Sequence, residues 1–332
     1  MPPDEIAGAP ALRRALVTGV SGQDGSYLSE LLLARGYDVV GLVRESEDLG
    51  LAKHLSERIQ VLRGDLLDPA SLRAAVELAR PTEIYHLAAP SFVPASWERP
   101  DESFAAIASA TATLLTVVRD IAPAARVYVA GSGAMYGDAA ESPQNELTPA
   151  RPRTPYAIAK LAVHQLVGAM RAHYGVHASS GITFNHESER RPVNFVTRKI
   201  TRAAATISLG LTDEVVLGDL SAVRDWTFAG DIVRGAWLML QQDEADDYVL
   251  ASGVPHTVAD FVRAAFAHVD LDVDRHVRVD PAFVRAPEPT ASVGDPSRAR
   301  ERLGWVPEVD FDALVRRMVD ADLHALRDHG AS

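Results

Sequence analysis

Two residues four apart, in Tyr156-Ala157-Ile158-Ala159-Lys160, offer the most reactive pairing in the chain. On a helix that spacing sets the side chains one above the other on a single face. An ammonium beside a phenol favours the phenolate and draws the tyrosine toward neutrality, where it can act as acid or base. The same ammonium suits the hydroxyls of a nicotinamide ribose. Ser132 follows the apolar run Val127–Ala130, where its hydroxyl can hydrogen-bond a substrate oxygen. A Tyr-x-x-x-Lys pair alone is common by chance. With an upstream serine and a dinucleotide turn nearer the start of the chain, it describes a hydride-transfer site.

That turn is Gly19, Gly22 and Gly25, spaced GxxGxxG between the apolar strand Ala15–Thr18 and the helix beginning near Tyr27. Glycine lets the backbone turn tightly and approach a pyrophosphate, and the helix start supplies free N–H groups and partial positive charge. Gln23 and Asp24 lie inside the turn and join the expected cofactor wall. The second strand ends Val43-Arg44-Glu45. An arginine there pairs with the 2′-phosphate of NADP, whereas an acidic residue grips the ribose of NAD, so Arg44 favours NADP and Glu45 keeps NAD as the alternative. Asp65, beside Leu66 after the third strand, is placed to reach an adenine amino group. Leu87 and Ala88 follow the fourth strand and complete the wall, with His86 shaping it.

The elements that must hold these residues alternate. Strands are expected at Ala15–Thr18, Asp38–Val43, Ile59–Leu62, Ile84–Leu87, Val127–Ala130, Ala178–Ile182 and Val215–Leu217, with helices at Tyr27–Arg35, Pro69–Ala79, Ser103–Asp120 and Tyr156–Tyr174. Alternation of this kind predicts an α/β, Rossmann-type doubly wound parallel sheet. After about residue 180 the pattern loosens. Polar stretches such as His186–Asn194 predict a smaller C-terminal substrate-binding lobe, with a division at 13–180 and 181–330 and some interleaving.

Composition narrows the function classes. At 332 residues and 47% hydrophobic, the chain can bury a sizeable core. Its 33 basic against 45 acidic residues leave a net charge of −12, which argues against a nucleic-acid face but not against a local pocket for a small anion. The absence of cysteine removes disulfides, thiolate catalysis and Cys-based zinc sites, and no metal site is expected. No apolar run approaches a membrane span, and the first twelve residues lack a secretion signal, so a cytoplasmic protein without membrane contact is expected.

In these motifs the chain resembles the extended short-chain dehydrogenases/reductases that modify nucleotide sugars, and among them the GDP-mannose 4,6-dehydratase family. The resemblance runs from about residue 13 to about 325 and rests on several segments in order. These are the opening Ala15–Leu28 with Gln23-Asp24 between glycines, Asn185-His186-Glu187-Ser188-Glu189-Arg190-Arg191 with Glu189 where the family has proline, Asn194–Ile200, Val223–Trp226 and Leu303-Gly304-Trp305. It implies a GDP-sugar substrate held by Ser91, Asn185, Glu187, Lys199, Arg224, Arg285 and Glu288, where cations suit a diphosphate and carboxylates suit ribose hydroxyls or a guanine N–H pair. Arg190-Arg191 are implied as substrate or subunit contacts. A homodimer or homotetramer is implied as well. Dehydratases of the family carry a loop after the Arg44 region that reaches a neighbouring cofactor site, and here Glu45–Ser56 is acidic and altered.

One departure bears on the reaction. The family's dehydratases carry a glutamate that helps remove the C5 proton and expel the C6 hydroxyl. Here Gly131-Ser132-Gly133-Ala134-Met135-Tyr136-Gly137 keeps the hydroxyl but puts Ala134 at the glutamate position. Losing a positioned acid/base costs roughly 10²–10⁴ in rate. The Ser-Gly-x-x-Tyr-Gly form resembles reductases of GDP-4-keto-6-deoxy-sugars. The expectation is therefore NADP(H)-dependent 4-keto reduction, or C4 epimerisation, by Ser132, Tyr156 and Lys160. A dehydratase using Asp138, Glu141 or Glu187 in place of the glutamate is the alternative, and a non-catalytic nucleotide-sugar-binding subunit is the alternative of another class.

Overall fold

The computed structural model describes residues 13–283 and 291–330. Short, mostly apolar segments form β1 (Arg14–Thr18), β2 (Asp38–Val43), β3 (Gln60–Arg63), β4 (Glu83–His86), β5 (Arg126–Ala130) and β6 (Ala178–Thr183). They are followed by β7 (Asn185–Glu187), β8 (Val215–Leu217), β9 (Val223–Phe228), β10 (Tyr248–Leu250), β11 (Pro255–Thr257) and β12 (Val277–Val279). Seven strands make one sheet in the order β10-β6-β5-β4-β1-β2-β3. Every neighbouring pair in it is parallel. The direction of winding reverses between β1 and β4, so the loops leaving their carboxyl ends diverge and open a crevice where such sheets take ligands.

Parallel strands require crossover helices, which cover both faces. Along β1 the side chains alternate: Leu16 joins one core, while Ala15 and Val17 join the other. The first core holds Leu72 and Val76, Leu114 and Val118, and Val163 and Val167, from the helices Pro69–Ala79, Ala110–Ile121 and Pro155–Tyr174. The second holds Leu28 and Leu32 of α1 (Gln23–Ala34) with Ile232, Phe261 and Leu314 from later helices. The helix carrying Tyr156 and Lys160 is sharply bounded. Thr154 caps it through the Ala157 amide, Pro155 opens its first turn, and Gly175 ends it in the left-handed conformation.

One expectation about the membrane changes on inspection. The helical stretch Pro100–Ile121 is long and apolar enough to cross a bilayer, with hydropathy 1.4. Its apolarity has a local cause, because Leu114, Leu115 and Val118 are fully buried in the core. An internal π-turn at Ala105–Ser109 interrupts it.

The second half of the chain does not form a separate body. β10 completes the edge of the main sheet beside β6, and the helix Ala229–Met239 shares a core with α1. The polar run after Phe184 is not all loop: β7 pairs with β9 in a small sheet ordered β11-β9-β7. The side chains of His186 and Glu187 bond to Asp24, Thr197 and Arg191, so a polar strand is held by protein partners that a hydropathy pattern does not show. Asp225 in β9 is the anchor of this lobe. Buried completely, its carboxylate accepts from the amides of Ser252 (2.8 Å), Gly253 (2.8 Å) and Gly294 (3.3 Å), and from the Ser252 hydroxyl (2.6 Å). Asp225→Ala strands three backbone donors, and urea unfolding is expected to show a loss on the order of 3 kcal/mol.

Candidate active site

A cleft of about 1510 Å³ runs across the carboxyl ends of β1, β2, β4 and β5. A single drug-sized ligand occupies roughly 300–1,000 Å³, so this one has room for two molecules side by side. At one end the glycine turn has three different reasons to lack side chains. Gly19 sits at φ +74°, and a Cβ there would lie 2.8 Å from the Ala88 amide. At Gly25 a Cβ would be 2.1 Å from the Gly19 carbonyl, so the helix can pack against the turn only without one. At Gly22 the nearest atom is 3.4 Å away, which leaves that backbone open to the cleft. Tight turn, open approach and close helix packing are what a pyrophosphate-binding turn requires, and the residues fit a dinucleotide.

Around the turn, Gln23, Asp24, Arg44, Asp65, Leu66, Leu87 and Ala88 all line the cleft. Arg44 is ion-paired with Glu47, which also lines the cleft, and Arg63 donates to the Arg44 carbonyl at 2.9 Å. The arginine is thus held at the rim with part of its charge already balanced. Asp65 turns one oxygen back onto the Leu67 amide at 2.9 Å. His86 lies behind the wall, buried, with Nδ1 2.9 Å from the Thr18 hydroxyl; burial and the nearby Lys160 lower its pKa to about 3. Burial keeps it neutral, and it acts as a spacer against Thr18, whose hydroxyl also accepts from the Ala88 amide.

Ser132, Tyr156 and Lys160 line the same cleft. Ser132 precedes the short turn Gly133–Tyr136 and accepts from the Ala134 amide at 3.2 Å. The electrostatics differ from the expected pairing. Burial pushes the Tyr156 phenol upward, opposed by its hydrogen bond to Ser132 and by the Arg191 guanidinium. Lys160 is not the group that pulls it down. The Lys160 ammonium is 5.8 Å from the Tyr156 ring centre and donates instead to the Ala130 carbonyl at 2.7 Å. Burial lowers its own pKa to about 8, against the upward pull of Asp24. Tyr156 is accordingly a protonated phenol at neutral pH, tied to Ser132.

On the far side Ser91, Asn185, Lys199 and Arg224 line the cleft. Glu187 corrects the expectation. It is 2% exposed, accepts from the Thr197 hydroxyl at 2.8 Å and pairs with Arg191 at 3.1 Å, so it stands behind the wall and holds Arg191 in place. Arg285 and Glu288 lie outside the described residues. Arg190 and Arg191 part company. Arg191 lines the cleft with its guanidinium 3.5 Å from the Phe195 ring centre, whereas Arg190 stacks on Tyr27 and bonds Ser26 and Glu30 of α1. Glu189 also faces away from the cleft, accepting from Tyr27 (2.5 Å) and Arg317 (2.8 Å); the Arg317 and Tyr27 bonds hold its pKa down at about 2.

Sequence reasoning missed His186 as a cleft residue. Its position inside a polar run gave no periodic signal, though its neighbours in the motif did point to ligands. Among the carboxylates considered for the role Ala134 lacks, only Asp138 lines the cleft, and it is paired with Arg153 at 3.1 Å. The segment Glu45–Ser56 folds back on its own domain, where Ala52 and Leu55 are buried, Leu51 donates to the Ser21 carbonyl and His54 meets Glu30 at 2.6 Å.

Residues 16–318 match the family of GDP-mannose 4,6 dehydratase. GDP-mannose 4,6 dehydratase 1 of Arabidopsis thaliana is 45% identical over 323 residues, covering 93% of this chain and 89% of that protein. The Homo sapiens GDP-mannose 4,6 dehydratase is 40% identical over 342 residues, covering 94% and 92%. Among solved structures, a UDP-glucose 4-epimerase of Thermus thermophilus in complex with NAD superposes with TM-score 0.81 at 28% identity, covering 93% of this chain and 98% of its own. RMD of Pseudomonas aeruginosa, complexed with NADPH, shares the fold at TM-score 0.81 and 23% identity, covering 94% and 99%.

The packed glycine and the open one separate fold from binding. Gly25→Ala is expected to lower the melting temperature sharply, because the 2.1 Å clash is with backbone that cannot move aside. Gly22→Ala is expected to melt within a few degrees of the wild type and to lose dinucleotide affinity on titration, because its methyl points into the cleft.

Proposed function

The chain belongs to the GDP-mannose 4,6-dehydratase family, and from that premise we propose that it binds NADP(H) and performs redox chemistry at C4 of a GDP-hexose, in the first place reduction of a GDP-4-keto-6-deoxy-sugar. The observation that carries this reading is a complete Ser132, Tyr156 and Lys160 site with Ala134 where the family's glutamate would stand. Bound NADPH supplies the hydride to C4. Ser132 orients the keto oxygen, and Tyr156, protonated at neutral pH, gives it the proton. Lys160, anchored on Ala130, holds the ribose hydroxyls of the dinucleotide. Asn185, Lys199 and Arg224 hold the GDP part of the sugar nucleotide, the two cations against its diphosphate. C4 epimerisation uses the same three groups.

Dehydration asks for one group more. Removing the C5 proton and expelling the C6 hydroxyl needs a carboxyl group at the sugar, and alanine has none. Two observations favour this second reading: Asp138 lines the same cleft as Ala134, and the relatives are named dehydratases. The reading carries with it a cytoplasmic homodimer or homotetramer.

Mass spectrometry of two incubations separates these reactions. With the GDP-4-keto-6-deoxy-sugar and NADPH, a gain of two hydrogens is the expected result. With GDP-mannose and catalytic NADP, the mass is expected to stay unchanged; loss of water would instead establish the dehydratase and point to Asp138. Binding of sugar nucleotide and dinucleotide with no turnover of either would leave a non-catalytic binding subunit. Tyr156→Phe is expected to reduce turnover by roughly 10²–10⁴ while dinucleotide binding stays intact, and unchanged turnover would remove the tyrosine from the mechanism. Ala134→Glu tests the rest of the dehydratase site, with new water loss from GDP-mannose as the expected outcome.

A further inference from the structure

We propose that His186 serves the dinucleotide cleft through Asp24, by neutralising and holding a carboxylate that would otherwise face the ligand's phosphates. The inference rests on the dinucleotide reading above and extends it to a charge pair outside the reacting triad. Asp24 lies in the first turn of α1, where the free amides of a helix start collect negative charge. A carboxylate at that place competes with the pyrophosphate for the same field, and its charge repels it.

The geometry supplies the remedy. Asp24 Oδ2 lies 2.9 Å from His186 Nε2, and His186 Nδ1 lies 2.8 Å from the Phe184 carbonyl oxygen. A carbonyl and a carboxylate only accept, so both ring nitrogens carry hydrogen and the ring is an imidazolium. Its pKa is raised in spite of burial, since the Asp24 charge and hydrogen bond oppose the desolvation.

The other charged and titratable groups around the pair have partners of their own. Arg191 is committed to Glu187, and Lys160 donates to Ala130; Tyr156 is tied to Ser132, and Tyr128 is a buried phenol held neutral by desolvation. Lys160 and Arg191 also act on Asp24 through space, but His186 is its only ion-pair partner among the described residues, and the larger share of its neutralisation falls to the imidazole. A second tie fixes the geometry. The Gln23 amide donates to Asp24 at 3.1 Å and to the His186 carbonyl at 3.3 Å, and the Ser188 hydroxyl donates to Gln23 at 2.8 Å. Charge compensation is thus built across the junction of glycine turn and β7.

A double-mutant cycle on NADP(H) affinity tests this, read by calorimetric titration near neutral pH with ligand-free melting curves alongside. His186→Asn is expected to weaken binding by about tenfold or more, because Asp24 is left uncompensated. Asp24→Asn is expected to lose clearly less affinity than His186→Asn, because the charge that needs compensation is gone. The double variant is expected to match Asp24→Asn. Should His186→Asn fail to fold, His186→Gln takes its place in the cycle. An equal loss from His186→Asn in both backgrounds would show that the imidazole acts on the ligand independently of Asp24, and would overturn the proposal. So would a loss from Asp24→Asn as large as that from His186→Asn, which is the mark of a purely structural tie. A wild-type protein that does not bind NADP(H) would overturn the dinucleotide reading itself.

Discussion

The contact that everything else depends on is the one Gly25 permits. With the Gly19 carbonyl 2.1 Å from where a Cβ would stand, α1 can lie directly on the turn that leaves β1. That closeness brings the free amides of the helix start to the mouth of the crevice opened by the reversal of strand order between β1 and β4. It also sets Gln23 and Asp24 at the same mouth, within reach of β7. The ligand turn, the sheet crevice and the second lobe thus meet at one short stretch of chain, and a shift of α1 by a single methyl group would move all three.

Buried and half-buried charge is the second theme of the cleft. Asp24, Lys160, His186, Glu187 and Arg191 occupy a small volume, and an unpaired charge so placed is costly. Each has a stated partner: Asp24 with His186, Glu187 with Arg191, Lys160 on the Ala130 carbonyl. The arrangement leaves Tyr156 with a proton at neutral pH, contrary to the simple expectation that a neighbouring lysine draws it off. The lysine is near, but its ammonium points along the carbonyl of β5. A YxxxK spacing predicts proximity; orientation is decided by the strand next door.

How much of this was legible follows from what kind of signal each part leaves. The strands β1 to β6 and the helix of Tyr156 show themselves because apolar periodicity and caps are local properties, and the residues lining the nucleotide end follow from their places after those strands. β7, β10 and β11 have three residues each, too short for a period, and are not among the expected strands, whereas the equally short β8 shows itself through its Val-Val-Leu run. β7 is polar as well, and what makes it a strand is the pairing of Asn185–Glu187 with Trp226–Phe228 from a distant part of the chain. The same non-locality misplaces Glu187 and hides His186. A carboxylate in a motif reads as a ligand contact until its partners, Thr197 and Arg191, are seen around it. The Pro100–Ile121 helix is the converse case, where a burial pattern reads differently once its covering layer is known.

Ala134 shows why scaffold and reaction must be argued separately. Nothing around it has collapsed: Ser132 still caps the short turn through the Ala134 amide, and Tyr136, 2% exposed, stacks on Phe184 with centroids 6.1 Å apart. The turn that would carry a glutamate is therefore kept in place by backbone and aromatic packing, neither of which needs the carboxylate. A side chain that contributes only to chemistry can be lost without cost to the fold, while glycines that contribute to both cannot. The family resemblance resides in the second kind of residue, and the reaction in the first.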